Sequence, residues 1–176
     1  MYANALSKNW TLQGLALLGT LAVALALPFI VHIIGPVGGV PLGARLLPIF
    51  IAPLLAVVLF NAPVAVAASL LAPVLNHLII GSPTQPITIL VTVELTVFAV
   101  VVSLLHMRWP NFWAAAPVGY LLGMVAAMIV LFITPIIPAP PFTWFTNSIV
   151  TAIPGIVILL AINFAVLRYL KSRHAD

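Results

Sequence analysis

The chain has 176 residues, of which 64% are hydrophobic and 5% charged, with a mean hydropathy of +1.31 and a formal net charge of +4. Six Lys/Arg and two Asp/Glu are too few to keep a water-facing surface of this size in solution, and the apolar content is too high for a disordered chain. Soluble enzymes and linkers are thereby excluded; zero cysteines exclude disulfides and thiolate sites, and six scattered cations form no basic patch for nucleic acid.

A spanning helix needs roughly 20 apolar residues, and the hydrophobic runs are divided where Pro, Gly, Asn or charge interrupts them. The first expected span is Leu12–Ile34. It follows Lys8 as a signal peptide would, but its length and the spans behind it argue for a retained helix. Gly19, Ala22 and Ala26 lie on it at helical spacing, the two alanines as a small-xxx-small pair that permits close approach by another helix. Pro28 allows a kink and His32 lies at the outer end.

Next comes a glycine- and proline-rich loop carrying Gly35, Gly38, Gly39 and Gly43, a candidate lid; without a Lys-Ser/Thr ending or a preceding strand it is no phosphate loop. Arg45 closes this loop. The second span, Leu46–Phe60, is short and therefore expected to tilt or to thin the bilayer locally. The third, Pro63–Ile80, carries Asn76 and His77 at its outer end. The fourth, Ile87–Met107, carries Glu94 about two turns from its outer end. After the fifth, Phe112–Ile136, a stiff rim with Pro135, Pro138, Pro140, Pro141, Phe142 and Trp144 leads into the sixth, Thr143–Leu170. The expectation is an all-α membrane protein with six transmembrane helices in a single bundle spanning residues 1–176. Runs such as Ile87 to Leu105 show no alternation, which excludes a β-barrel, and no internal repeat is apparent.

Lys8, Arg108, Arg168, Lys171 and Arg173 fall on the side of the chain ends and Arg45 alone opposite, so the positive-inside rule places both termini in the cytoplasm. Trp10, Trp109 and Trp113 then sit near the inner interface as aromatic anchors. His32, Arg45, Asn76, His77 and Glu94 all map to the outer half, whereas the inner half offers only His106 and Arg108, at the water boundary. Ionisable groups inside a membrane are costly and commonly functional, so this distribution reads as a cup opening outward. Each residue also has a plainer role. Glu94 can pair with Arg45 or hydrogen-bond between helices when protonated; Arg45 can anchor at headgroups; His32 and His77 can bond backbone carbonyls; Asn76 can join helices.

Glu94 and Asp176 are the only acids, so paired-carboxylate catalysis and a metal-dependent phosphotransfer site are excluded. No catalytic residue, metal site or cofactor is expected, and binding and translocation of a solute remain. The expected solute contacts are Glu94, Arg45, His32, His77, Asn76 and Trp144.

Three stretches resemble the substrate-binding S components of energy-coupling factor transporters. Leu46-Leu47-Pro48 followed by Ile49 to Ala56 is similar to that family's second-helix signature, Leu71 to Pro83 to its third helix and turn, and Val93-Glu94-Leu95 to its fourth-helix Val-Glu-Leu. Order, spacing and six-helix length agree over most of residues 28–105, while residues 110–176 match only in pattern. Phe50 stands where the family often has His, the second proline is displaced to Pro53, and Phe98-Ala99 replaces a frequent Tyr-Gly. The resemblance implies a prokaryotic cell-membrane subunit that binds a small vitamin-like solute beneath the first loop. It also implies a transmembrane coupling subunit docking at Ala22 and Ala26, two cytoplasmic ATPases driving the complex, and release of the solute by toppling of the subunit in the bilayer. A stand-alone carrier, with Glu94 binding a coupling proton or the solute moving downhill, and a structural membrane subunit without solute are the rival expectations.

Overall fold

The computed structural model describes residues 9–173, the last by its backbone alone, so Lys8, Asp176 and the Arg173 side chain lie outside the described residues. Seven helices and one small hairpin follow in chain order: α1 Trp10–Ile34, β1 Pro36–Val37, β2 Val40–Pro41, α2 Leu42–Leu46, α3 Pro48–Leu59, α4 Ala62–Ile80, α5 Gln85–Arg108, α6 Ala115–Ile133 and α7 Pro141–Arg173. With α2 and α3 taken together, six helical segments are long and apolar enough to cross a membrane. This is an all-α, six-helix membrane architecture.

Local sequence explains the element ends. Asn9 caps α1, its side-chain oxygen accepting from the amides of Thr11 at 3.1 Å and Leu12 at 3.4 Å. Asn61 does the same for α4, accepting from Val64 at 2.9 Å, with Pro63 in the first turn where no donor is needed. Gly81 ends α4 at φ 75°, a left-handed conformation that suits glycine.

The second span extends further than its sequence suggested, from Leu42 to Leu59, because a short helix precedes the expected start. Between the two pieces Leu47 takes φ 52°, ψ 41°. Proline disfavours the right-handed helical conformation in the residue before it, and Pro48 follows here. A left-handed leucine is unusual, and burial holds it: Leu47 is 6% exposed and packs against α7 at Gly155, where any added Cβ would stand 2.6 Å from Leu47 Cγ.

Helix α3 is central, touching α1, α4, α5 and α7. The main core gathers Leu47, Phe50 and Leu54 with Leu95, Phe98 and Val102 of α5, Tyr120 and Met124 of α6 and Leu159 of α7. Elsewhere the interior is built from small residues: Ala24, Ala56, Ala65, Ala68, Ala72 and Ala99 are fully buried or nearly so. Large apolar side chains such as Leu18, Ile33, Leu78 and Ile133 point outward, the distribution expected of a bundle solvated by lipid. Trp10 opens α1, and Trp109 and Trp113 lie in the α5–α6 connection; all three are exposed.

Two buried asparagines tie distant parts of the chain. Asn76 Nδ2 donates to the Ala24 carbonyl of α1 at 3.2 Å and to Ala72 at 3.1 Å. Asn163 Nδ2 of α7 donates to the carbonyls of Trp113 at 2.7 Å and Phe112 at 3.3 Å, in the α5–α6 connection.

Candidate binding cavity

A cavity of about 960 Å³ lies at the end of the bundle away from the chain termini, a volume within the range of small-molecule sites. Its walls come from α1, the hairpin, the α2–α3 break, α4, α5, α6 and α7, together with the α4–α5 and α6–α7 connections.

Of the residues expected from sequence, Glu94, Asn76, His32 and Trp144 line this cavity. Glu94 lies nine residues into α5, about 14 Å along its axis, and is 6% exposed. Among the described residues its carboxylate has no hydrogen bond or ion pair, and Arg45 does not reach it. Asn76 has the plainer role described above, its amide nitrogen joining α4 to α1, while its Oδ1 is buried without a partner. His32 is on the exposed rim, at the last turn of α1.

Arg45 and His77 lie outside the lining. Arg45, on α2, turns toward the hairpin: its Nη2 is 3.6 Å from the position a Cβ would take at Gly38. His77 Nδ1 donates to the Pro83 carbonyl at 2.8 Å, the plainer role described above.

The glycine-rich loop is a regular hairpin. Pro36 pairs with Pro41 and Val37 with Val40, leaving Gly38 and Gly39 at φ 62° and 76° as the two-residue turn. Gly35 and Gly43 line the cavity, together with Pro36, Val40 and Pro41, whereas Gly38 and Gly39 form the tip. The hairpin therefore forms part of the cavity wall through one edge and carries its turn beyond it.

The aromatic wall is formed by Phe50 and Tyr120, which meet edge to face at 5.3 Å between ring centres; Phe98 backs Phe50 in the same manner at 5.2 Å. Sequence reasoning centred on ionisable groups missed Tyr120 and a polar face of α7 comprising Thr143, Asn147, Ser148 and Thr151. The four-residue spacing of Thr143, Asn147 and Thr151 in an otherwise apolar helix was the available signal. These four differ from the hydroxyls packed between helices. Thr20, Ser69 and Ser103 each donate to the carbonyl four residues earlier, at 2.7 to 2.8 Å. Among the described residues the side chains of Asn147, Ser148 and Thr151 have no hydrogen-bond partner, so they remain available to a bound molecule.

No family model matches the chain, nor does any curated protein or solved structure. Chemically, the cavity offers one carboxylate, a row of neutral hydrogen-bonding groups and aromatic faces. No group of three or more His, Cys, Asp or Glu side chains that could hold a metal ion occurs among the described residues.

Proposed function

We propose that the chain is the solute-binding membrane subunit of an ATP-driven importer of the energy-coupling factor type, taking a small vitamin-like compound from the outer side of a prokaryotic cell membrane. The observation that carries this reading is convergence. The three stretches that resemble S components are remote in sequence, yet Pro48, Ile49 and Phe50 from the first, Asn76 from the second and Glu94 from the third line one cavity. Two departures from the resembled signatures, Phe50 and Phe98, also meet face to edge, so both changes fall at one apolar contact.

In this reading the cavity opens outward, because the cation distribution holds the chain ends in the cytoplasm. The hairpin closes over the bound solute and excludes water. Ala22 and Ala26 are exposed on α1 and form a shallow face against which a helix of a coupling subunit packs. Partner ATPases supply the energy.

The test is uptake of the compound retained by the purified protein, identified by native mass spectrometry, in cells with and without coupling subunits and ATPases. Import that depends strictly on those partners supports the proposal. A second reading, a stand-alone proton-coupled carrier, is favoured by the unpaired Glu94 carboxylate; uptake by this chain alone selects it.

A further inference from the structure

From the charge distribution around the cavity we infer that its solute is a cation with a flat, conjugated body, such as a protonated or quaternary nitrogen heterocycle, whose positive charge settles against Glu94. This rests on the cavity being a solute site and narrows what occupies it.

The argument is one of unbalanced charge. Among the described residues, no Lys or Arg side chain lines the cavity. Arg45 is near in sequence, but its guanidinium lies beside the hairpin turn at Gly38 and makes no ion pair with Glu94. A carboxylated solute would therefore meet a carboxylate with no side-chain cation to offset it, apart from any charge carried by His32 at the rim. Among the described residues neither a cation nor a hydrogen-bond donor meets the buried Glu94 carboxyl group, so both are left for a bound solute to supply. A cationic solute supplies both.

The rest of the wall agrees. Tyr120 and Trp144 present aromatic surface, against which a delocalised cation is attracted by the ring quadrupole. Asn76 has a buried acceptor oxygen without a donor, and Asn147, Ser148 and Thr151 add groups along α7 that can accept as well as donate. The Glu94 carboxylate and Asn76 Oδ1 are both acceptors without a donor, which favours a solute that carries N–H groups.

The experiment uses three isosteric probes, 2-naphthamidine, 2-naphthamide and 2-naphthoate, which share a flat two-ring body and differ in charge. Binding to the full chain in detergent is measured by saturation-transfer NMR and equilibrium dialysis. The expected order of affinity is amidinium, then amide, then carboxylate. Glu94→Gln should weaken the amidinium about tenfold or more while shifting the amide by less than about threefold. Glu94→Asp, which keeps the charge, should preserve the order, and gives a second reading should the Gln variant fail to fold. Failure of the amidinium to bind, preference for the carboxylate, or an amidinium affinity indifferent to Glu94→Gln overturns the inference. The expected order of binding, found without partner-dependent uptake, leaves the cation class standing and overturns the importer reading instead.

Discussion

A Cβ added to Gly123 would stand 2.5 Å from the carbonyl oxygen of Glu94, so α6 crosses α5 backbone against backbone at the height of the cavity's acid. The carboxylate is thus carried on a rigid crossing, and its depth is set by main-chain contact rather than by side-chain packing. Gly119 continues the same seam one turn earlier, where an added Cβ would meet Val102 at 2.6 Å. Gly123→Ala should force the helices apart and destabilise the protein by about 1–3 kcal/mol, read as a lower thermal midpoint in detergent. Gly14→Ala, where nothing lies within 4 Å, is the control and should leave the midpoint unchanged or slightly raised.

The aromatic contact of Phe50 makes a second prediction. Phe50 is 2% exposed and touches both Phe98 and Tyr120. Phe50→Ala should cost about 3–5 kcal/mol from lost burial and the remaining void. Phe50→Leu should cost less and isolate the part due to ring geometry, roughly 0.5–1.5 kcal/mol per aromatic pair.

The hairpin turn requires positive φ at Gly38 and Gly39. Gly39→Val strains the turn, because β-branched residues scarcely adopt that conformation. Hydrogen exchange over residues 36–41 should accelerate relative to the wild type. Arg45→Ala, by removing the guanidinium beside the turn, should accelerate the same amides without weakening a cation held at Glu94. Slower or unchanged exchange in both variants would detach the hairpin from any gating role.

Topology is tested cleanly because the protein has no native cysteine. Cysteine at the exposed hairpin position Val37 should react with an impermeant maleimide from outside intact cells, and cysteine at Asn111 only after the membrane is opened. The reverse pattern would invert the molecule and the direction in which the cavity faces.

The α1 face separates binding from assembly. Ala22→Leu and Ala26→Leu add bulk on an exposed surface away from the cavity, so solute affinity of the isolated chain should stay within about twofold while transport by the assembled complex falls. Normal transport in both variants at equal expression would place the docking face elsewhere.

The spans were legible because apolar length is a strong signal in a chain this hydrophobic, and Glu94 was legible because a carboxylate inside such a run has few reasons to be there. Arg45 was not placed by sequence. Its direction depends on the short α2 and on the left-handed Leu47, a tertiary outcome sustained by the notch at Gly155 more than a hundred residues away. The Gly38-Gly39 pair carried a hairpin signal that reading the whole segment as a lid loop passed over. The α7 polar face escaped because neutral hydroxyls and amides in membrane helices mostly satisfy themselves along the helix, and only the folded cavity distinguishes Ser148 and Thr151 from Ser69 and Ser103.

The two buried asparagines bear on the vertical alignment of the bundle. An apolar helix surrounded by similar helices and lipid tails finds many heights of nearly equal energy, and a slip of one turn, about 5.4 Å, exchanges one set of methyl contacts for another. Amide-to-carbonyl bonds permit no such exchange. Asn76 fixes the first span against the third through Ala24, and Asn163 fixes the last against the connection at Trp113. The cavity keeps its depth because these two pins stop the first and last helices from sliding like pistons past their neighbours.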